Sequence, residues 1–311
     1  MSKEPTDPED NDSSWDLTQL VAALRDARGD QPEGDTRSRE RPSRDAMLEI
    51  LRDLRAVLFP THFGGSNLRD ASLDFFVGSK LDGALRALME QARRSLRYAT
   101  HHEAQAQALQ HARELVTAFS EQLPRVRTLL ETDLRAAYEG DPAASSRSEI
   151  LLCYPGVSAL IHHRIAHELY RLQVPLLPRI IAEQAHAVTG IDIHPGAQIG
   201  ERFFIDHGTG VVIGETAIIG ARVRLYQGVT LGARRFAVDG TGALVKGQPR
   251  HPIIEDDVVI YAGATVLGRI TIGSRSTIGG NTWVTQSVAP DSHISQAKIR
   301  HEDTYEGGGG I

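Results

Sequence analysis

In the last third of the 311-residue chain, an aliphatic residue recurs at every sixth position, and polar or small residues fill most positions between. A period of six fits neither an α-helix, with 3.6 residues per turn, nor an ordinary strand, which repeats every two. It predicts a left-handed parallel β-helix of hexapeptide repeats, in which three flat faces make one triangular turn of about 18 residues. The repeat positions are Ile193, Ile199, Ile205, Ile213, Ile219, Leu225, Leu231, Ile254, Ile260, Val266, Ile272, Ile278 and Val284.

Two irregularities interrupt this rhythm. A two-residue slip lies between Ile205 and Ile213, and a longer break separates Leu231 from Ile254. Glycine follows many of the aliphatic residues, as tight corners require. An antiparallel β domain is the alternative, but alternation at a period of two would not stay in phase at six over so many positions.

A different periodicity precedes the repeats. Between about residues 47 and 138, and again from Val157 to about Val188, apolar residues recur at spacings of three and four, which predicts helices. We therefore expect an α+β protein in which an all-α N-terminal domain precedes the β-helix. The predicted parts are a disordered N-terminal arm at 1–45, an α-helical domain at 46–190, a β-helix at 191–290 with a protruding loop at 233–250, and a flexible C-terminal tail at 291–311. Within the arm, a short helix around Trp15 to Ala27 is the alternative.

Composition narrows the class of protein. A hydrophobic fraction of 41% and a charged fraction of 24% are typical of a soluble globular protein. The sequence has no apolar run long enough for a membrane span and no signal-peptide core, which predicts a cytoplasmic protein without a membrane partner. A net charge of −6 without a basic stripe argues against a nucleic-acid partner. Cys153 is the only cysteine, which excludes an internal disulfide and favours a buried thiol.

Charged and imidazole side chains collect where the repeat is interrupted. Asp192 opens the first turn, Asp206 and His207 fall at the slip, and Arg250 and His251 end the long break. Asp192 and His207 are close to one turn apart in sequence, so they could approach each other on neighbouring turns about 4.8 Å apart. A carboxylate beside an imidazole forms a general base, and a loop arginine can grip a carboxylate.

A histidine pair outside the repeats is a weaker candidate. His163 and His167 stand four residues apart on a predicted helix, a spacing that can place two metal ligands on one face. The sequence offers no third ligand at a useful spacing. We therefore expect these imidazoles to pack or to face solvent, and we predict no metal site.

Several motifs together resemble serine O-acetyltransferases, a family of hexapeptide-repeat acyltransferases. They are GIDIHPGAQIG from Gly190, DHGTGVVIGET from Asp206, YQGVTLG from Tyr226 and RHP from Arg250. The resemblance is strong over about residues 141–288 and includes the C-terminus. The long loop and residues 254–264 are similar to a bacterial subgroup with an enlarged N-terminal region, whereas this N-terminal region departs in length and content from the common family pattern. After Val288 the chain departs from the common family pattern, so contacts to coenzyme A from that segment are not carried over.

The resemblance implies a reaction and a set of roles. The family transfers acetyl from acetyl-CoA, a co-substrate, to the hydroxyl of L-serine, the first step of cysteine biosynthesis, without an acyl-enzyme or a resident cofactor. By this resemblance, His207 is the general base and Asp192 its orienting carboxylate. The other implied contacts are Asp141 and Asp206 to the serine ammonium, Arg250 and His251 to its carboxylate, and Ala233 and Ala262 to the pantetheine arm of acetyl-CoA.

The resemblance also implies partners. Family β-helices pack as trimers, in many members paired into dimers of trimers, with sites shared across each boundary, so we expect a homotrimer or a multiple of it. Family members commonly end in isoleucine on a glycine-containing tail that enters the active site of O-acetylserine sulfhydrylase in the cysteine synthase complex. The final residues, Gly307 to Gly310 and Ile311, match that tail, which makes Ile311 the predicted partner-binding residue. A cloning scar or frayed end is the alternative.

Three other functions compete with this interpretation. The first is a hexapeptide acetyltransferase with a different acceptor, which would need neither the Arg250–Asp141 charge pair nor the tail. The second is a carbonic-anhydrase-like β-helix with zinc. It needs two histidines five residues apart within the hexads, and this sequence has no such pair there. The third is an inactive scaffold that only binds the sulfhydrylase, against which the intact Asp192 and His207 argue.

Overall fold

A computed structural model of the chain describes residues 15–27, 40–65, 70–99, 105–235 and 239–296. The chain divides into two compact units, Met1–Glu40 and Arg41–Ile311. In the first unit, helix α1 (Leu17–Ala27) lies within the arm that the sequence predicted to be disordered. The arm's other residues up to 39, apart from 15 and 16, are outside the described residues, as is the tail from 297. In the described part, no helix has the length and apolarity that crossing a membrane requires.

Among the residues that the structure describes, seven helices open the second unit, which confirms the all-α region predicted from the apolar spacing. Ser43 caps the first of them, because its hydroxyl accepts the Ala46 N–H at 3.2 Å. Pro155 starts another at the first helical position, where its missing N–H costs no hydrogen bond. The helices are α2 (Arg44–Leu58), α3 (Pro60–Phe63), α4 (Asp70–Ala99), α5 (Gln105–Gly140), α6 (Arg147–Cys153), α7 (Pro155–Arg171) and α8 (Leu177–Thr189).

The single cysteine is exposed, so the expectation of a buried thiol is wrong. Cys153 ends α6, which buries Ile150 and Leu151. Two residues beyond Leu151, the side chain has turned roughly 200° around the helix axis and faces away from the core.

Short strands of two or three residues follow and wrap into the predicted β-helix. They are β1 (Asp192–Ile193), β2 (Gln198–Ile199), β3 (Phe204–Ile205), β4 (Val212–Ile213), β5 (Ile218–Ile219), β6 (Arg224–Leu225), β7 (Thr230–Gly232), β8 (Ile253–Ile254), β9 (Val259–Ile260), β10 (Thr265–Leu267), β11 (Thr271–Ile272), β12 (Thr277–Ile278), β13 (Trp283–Val284) and β14 (His293–Ile294). They form three parallel sheets: the first in the order β1-β4-β7-β10-β13, the second β2-β5-β8-β11 and the third β3-β6-β9-β12-β14.

The aliphatic repeat residues stack in register inside the triangle. Ile213 pairs with Leu231, 18 residues on, whereas Ile193 pairs with Ile213 across a turn of 20 residues. The two-residue slip therefore lengthens one turn without breaking the ladder. All of the repeat positions are buried except Ile199, which is half-buried. This confirms that the six-residue period marks the inward side of each face.

The β-helix continues past the boundary predicted at residue 290. Strand β14 pairs with β12 and places Ile294 beside Ile278, so residues 291–294 belong to the β-helix and not to the tail. The sequence pattern missed this strand because the last turn takes 16 residues instead of 18, which takes Ile294 out of phase with the repeat.

The helices are fastened to the start of the β-helix by close packing and a buried ion pair. Helix α7 crosses β3 at Gly156, where an added Cβ would lie 2.3 Å from the Ile205 carbonyl oxygen. Arg164 donates from Nε and Nη2 to the two carboxylate oxygens of Asp133 at 2.6 and 2.9 Å, with both side chains buried. Asp133 also accepts the Phe203 N–H at 3.0 Å. The pair thus joins α5, α7 and the first turn.

Replacing Asp133 by alanine should lower the free energy of unfolding by about 3–5 kcal/mol, because it leaves the Arg164 guanidinium buried without its counter-charge. Urea denaturation followed by circular dichroism measures this change. Asp82→Ala is the matched control, since the Arg86–Asp82 pair on α4 is exposed and its loss should leave the midpoint unchanged. A loss below about 1 kcal/mol for Asp133→Ala would contradict the assigned role.

Candidate active site

The slip places His207 on the edge where the third sheet turns into the first, between β3 and β4. Its backbone takes a φ of 57°, in the left-handed region, which turns the chain at this corner. The side chain is 73% exposed, and Nε2 lies 3.8 Å from Oδ1 of Asp206. The imidazole is therefore accessible to a ligand and stands beside a carboxylate.

The carboxylate of Asp206 and that of Asp141 are held at this edge by groups that the sequence analysis did not identify. Asp206 is buried and accepts from Arg224 Nη2 at 2.6 Å, while Nη1 of the same guanidinium donates to the Gly140 carbonyl at 2.8 Å. Asp141 accepts from the Tyr154 hydroxyl at 2.6 Å, and this hydrogen bond lowers the pKa of Asp141. We name Asp141, Asp206 and His207 the His207 corner.

Asp192 lies near this corner but does not contact His207 within one chain. It opens β1 on the flat face of the first sheet, in register with Val212, and its N–H donates to the Val211 carbonyl at 2.9 Å. Among the described residues, the carboxylate that pairs with the His207 imidazole within 4 Å is that of Asp206. The orienting role of Asp192 stays a prediction.

Arg250 and His251 form a second cluster on the edge between the first and second sheets. Arg250 Nη2 donates to Glu215 Oε2 at 2.7 Å, and the Tyr170 hydroxyl donates to the other oxygen of that carboxylate at 3.0 Å. Burial opposes ionisation of Glu215, yet the hydrogen bonds from Arg250 and Tyr170 leave its pKa below the ordinary value. We name Glu215, Thr216, Arg250 and His251 the Arg250 corner.

Burial, and secondarily the charge of Arg250, lowers the pKa of His251 to about 4. The imidazole of this corner is therefore neutral near pH 7. The Arg250 corner thus combines the Arg250 guanidinium, its Glu215 partner and a neutral ring, whereas the His207 corner presents the carboxylates of Asp141 and Asp206.

The two corners bound the first sheet on opposite sides, so one chain does not bring all the predicted site residues together. The face between the corners, from Val211 through β4 to Gly214, alone spans roughly 10 Å at ~3.3 Å per residue. The two alanines predicted to contact the pantetheine arm are half-buried and also lie on opposite edges of the first sheet. Ala262, between β9 and β10, is on the edge of the His207 corner, and Ala233, after β7, is on the edge of the Arg250 corner. Ile311 lies outside the described residues.

The histidine pair of α7 is a packing feature. His163 is buried, burial lowers its pKa well below the ordinary value, and its ring centroid lies 5.6 Å from that of His167. His167 shares a hydrogen bond of 2.8 Å between Nδ1 and the Pro195 carbonyl. Across the ranges that the structure describes, no three histidine, cysteine or acidic side chains group as a metal site would require.

Comparison with known proteins first defines the class. The family described as bacterial transferase hexapeptide (six repeats) matches residues 251–286, within the β-helix. The protein named "Serine acetyltransferase, plasmid" from Synechococcus elongatus is 56% identical over 306 residues, covering 96% of each chain. The serine acetyltransferase of Mycobacterium tuberculosis is 51% identical over 54% of this chain and 69% of its own length.

Solved structures agree with these relatives. Serine acetyltransferase isoform 3 of Entamoeba histolytica, in complex with cysteine, has a TM-score of 0.70 and 39% identity over 83% of this chain and 84% of its own. The Neisseria gonorrhoeae serine acetyltransferase, in complex with serine, has a TM-score of 0.53 and 28% identity over 82% of this chain and 96% of its own. The protein is thus a hexapeptide-repeat acyltransferase with a left-handed parallel β-helix. More narrowly, the chain belongs to the serine acetyltransferase family.

Proposed function

We propose that the protein transfers the acetyl group of acetyl-CoA to the hydroxyl of L-serine, giving O-acetyl-L-serine and CoA, in the first step of cysteine biosynthesis. The observation that carries this proposal is that the carboxylates of Asp141 and Asp206 lie at one corner and the guanidinium of Arg250 lies at the other. Carboxylates at the His207 corner suit the ammonium of an amino acid, and Arg250 suits its carboxylate. A sugar acceptor would use neither charge.

His207 is the proposed general base. Its exposed imidazole takes the proton of the serine hydroxyl while the oxygen attacks the thioester carbonyl. When the tetrahedral intermediate collapses and the carbon–sulfur bond breaks, the imidazolium returns this proton to the sulfur, so CoA leaves as the thiol. Asp192 is the proposed orienting carboxylate. Asp192 and His207 form no ion pair within the described part of one chain. This fits the general observation that catalytic hydrogen bonds often tighten only when substrate is bound.

The remaining predicted residues position the amino acid. Asp141 and Asp206 bind the ammonium, and Tyr154 and Arg224 fix those two carboxylates in place. Arg250 and His251 bind the substrate carboxylate. When the ammonium and the carboxylate of the substrate are both bound, its hydroxyl is directed at His207. Because the transfer is direct, without an acyl-enzyme, this orientation supplies much of the rate enhancement.

The separation of the corners supports a cyclic homotrimer, or a dimer of two such trimers, as the working enzyme. One serine cannot span the first sheet, so the His207 corner of one copy must face the Arg250 corner of the next. A head-to-tail contact of this kind closes into a ring. The groove between neighbouring copies would also bring Ala262 of one edge to Ala233 of the other, along the path proposed for the pantetheine arm of acetyl-CoA.

Consumption of acetyl-CoA with L-serine, L-homoserine and a panel of sugars as acceptors tests the proposed reaction. We expect turnover with L-serine, and little with L-homoserine, whose longer side chain misplaces the hydroxyl. Preferred turnover of a sugar would contradict the proposal.

Deletion of Ile311 should abolish binding to O-acetylserine sulfhydrylase, because the terminal carboxylate and apolar side chain are the proposed mimic of that enzyme's amino-acid substrate. Isothermal titration of full-length and shortened chains against the sulfhydrylase measures the effect. Acetyl transfer to serine should be unchanged in the shortened chain, which serves as the folding control. Equal affinity of both chains for the sulfhydrylase would refute the docking role.

A further inference from the structure

The hydroxyl of Thr216 lies at the centre of the Arg250 corner and uses its whole hydrogen-bonding capacity there. Its oxygen accepts the Arg250 N–H at 2.9 Å and the His251 N–H at 3.1 Å, and it lies 2.9 Å from His251 Nδ1. A hydroxyl has two lone pairs and one proton. Because backbone N–H groups occupy both lone pairs, the proton must point at Nδ1.

A second donor converges on the same nitrogen. The Thr216 N–H lies 3.1 Å from His251 Nδ1 and donates to it. Nδ1 therefore carries no proton, and in the neutral ring the proton belongs to Nε2. Burial and the charge of Arg250 favour this neutral form. His194, Glu215 and Arg269 are the other ionisable groups that act on the ring.

The ring and its backbone are also held from the remaining sides. An added Cβ on Gly214 would lie 2.0 Å from His251 Cδ2, so only glycine leaves room for the imidazole. Arg269 Nη1 donates to the Thr216 carbonyl at 2.6 Å and to the His251 carbonyl at 3.0 Å. The tautomer and the position of the ring are thus set together.

We propose that Thr216 is a positioning residue that fixes His251 as the Nε2–H tautomer, so that this N–H donates to the substrate carboxylate beside Arg250. The proposal rests on the proposed binding of serine at this corner. The two imidazoles then have different roles: His207 accepts a proton, whereas His251 only donates a hydrogen bond. The exchange of one tautomer for the other would aim a lone pair at the substrate anion and repel it.

The first test observes the tautomer in the intact wild-type enzyme without substrate. The nitrogen NMR spectrum of protein labelled with ¹⁵N only in histidine, compared with that of His251→Gln, identifies the two His251 resonances. We expect an unprotonated Nδ1 and a protonated Nε2 at neutral pH. A proton on Nδ1, or on both nitrogens, would overturn the proposal whatever the substrate proves to be.

The second test compares Thr216→Val with Thr216→Ser. Valine keeps the shape but removes the hydroxyl, so we expect the KM for serine to rise about tenfold, as for the loss of a hydrogen bond to a charged group. The kcat and the KM for acetyl-CoA should change much less. The ¹⁵N resonance of His251 Nδ1 should shift, because the Thr216 hydroxyl no longer donates to it and only the backbone N–H remains. The Thr216→Ser variant keeps the hydroxyl, so its KM for serine should lie within about twofold of the wild-type value.

The outcomes separate this proposal from the proposed function. An unchanged KM for serine in Thr216→Val, or a raised KM with an unchanged ¹⁵N spectrum of His251, would overturn the positioning role while leaving serine acetylation intact. Absence of serine acetylation in the wild type would overturn the proposed function, and the tautomer measurement would still decide the state of His251. If Thr216→Val does not fold, the wild-type spectrum and Thr216→Ser decide the proposal.

Discussion

Replacement of His207 by alanine should lower kcat for serine acetylation by about 10²–10⁴-fold, the range expected when a general base is removed. The serine hydroxyl is a poor nucleophile near neutral pH without a base to accept its proton. The KM for serine should change little, because the ammonium and carboxylate contacts come from other residues. Initial rates of acetyl-CoA consumption measure both constants.

His186→Ala is the matched control for this substitution. His186 is a partly exposed histidine on α8 that lies 3.8 Å from Glu183, and no role in the proposed site is assigned to it. Its replacement should leave kcat at the wild-type value. Turnover of His207→Ala near the wild-type rate would refute the proposed base.

Mixed trimers built from two inactive variants, His207→Ala and Arg250→Ala, should regain about one third of wild-type kcat per trimer. In a cyclic trimer that contains both variants, one boundary in three joins an intact His207 corner to an intact Arg250 corner. Each variant alone has no such boundary. Co-expression with two different affinity tags, followed by purification on both, yields the mixed assemblies for assay.

The pair His207→Ala and Asp206→Ala is the control for this experiment. Both changes damage the His207 corner, so no boundary of their mixed trimer has an intact one, and activity should stay at the level of the single variants. Recovery in this control pair, or none in the first pair although mixed trimers form, would contradict a site shared between copies.

The sequence singled out most of the candidate site residues because they lie where the six-residue repeat is interrupted. The slip at Asp206 and His207, and the long break that ends at Arg250 and His251, both fall on corners of the β-helix. The sequence did not identify Tyr154, Tyr170, Arg224, Glu215 and Thr216 as contributors. Arg224 carried a weak signal, as a charged residue directly before the inward Leu225. The two tyrosines carried none: Tyr170 lies on α7 and Tyr154 lies between α6 and α7, and no local pattern specifies how these helices pack on the β-helix.

The sequence by itself determined the β-helix and the all-α region before it, because a period of six and spacings of three and four each commit one side of an element to the core. Only the tertiary structure decided how the site residues are distributed. Closure into a triangle puts His207 and Arg250 on opposite edges of one sheet, although fewer than fifty residues separate them in sequence. Hydrophobic periodicity encodes which side of a strand faces inward, but not which corners face each other, because that depends on how the strands wrap and how copies of the chain assemble.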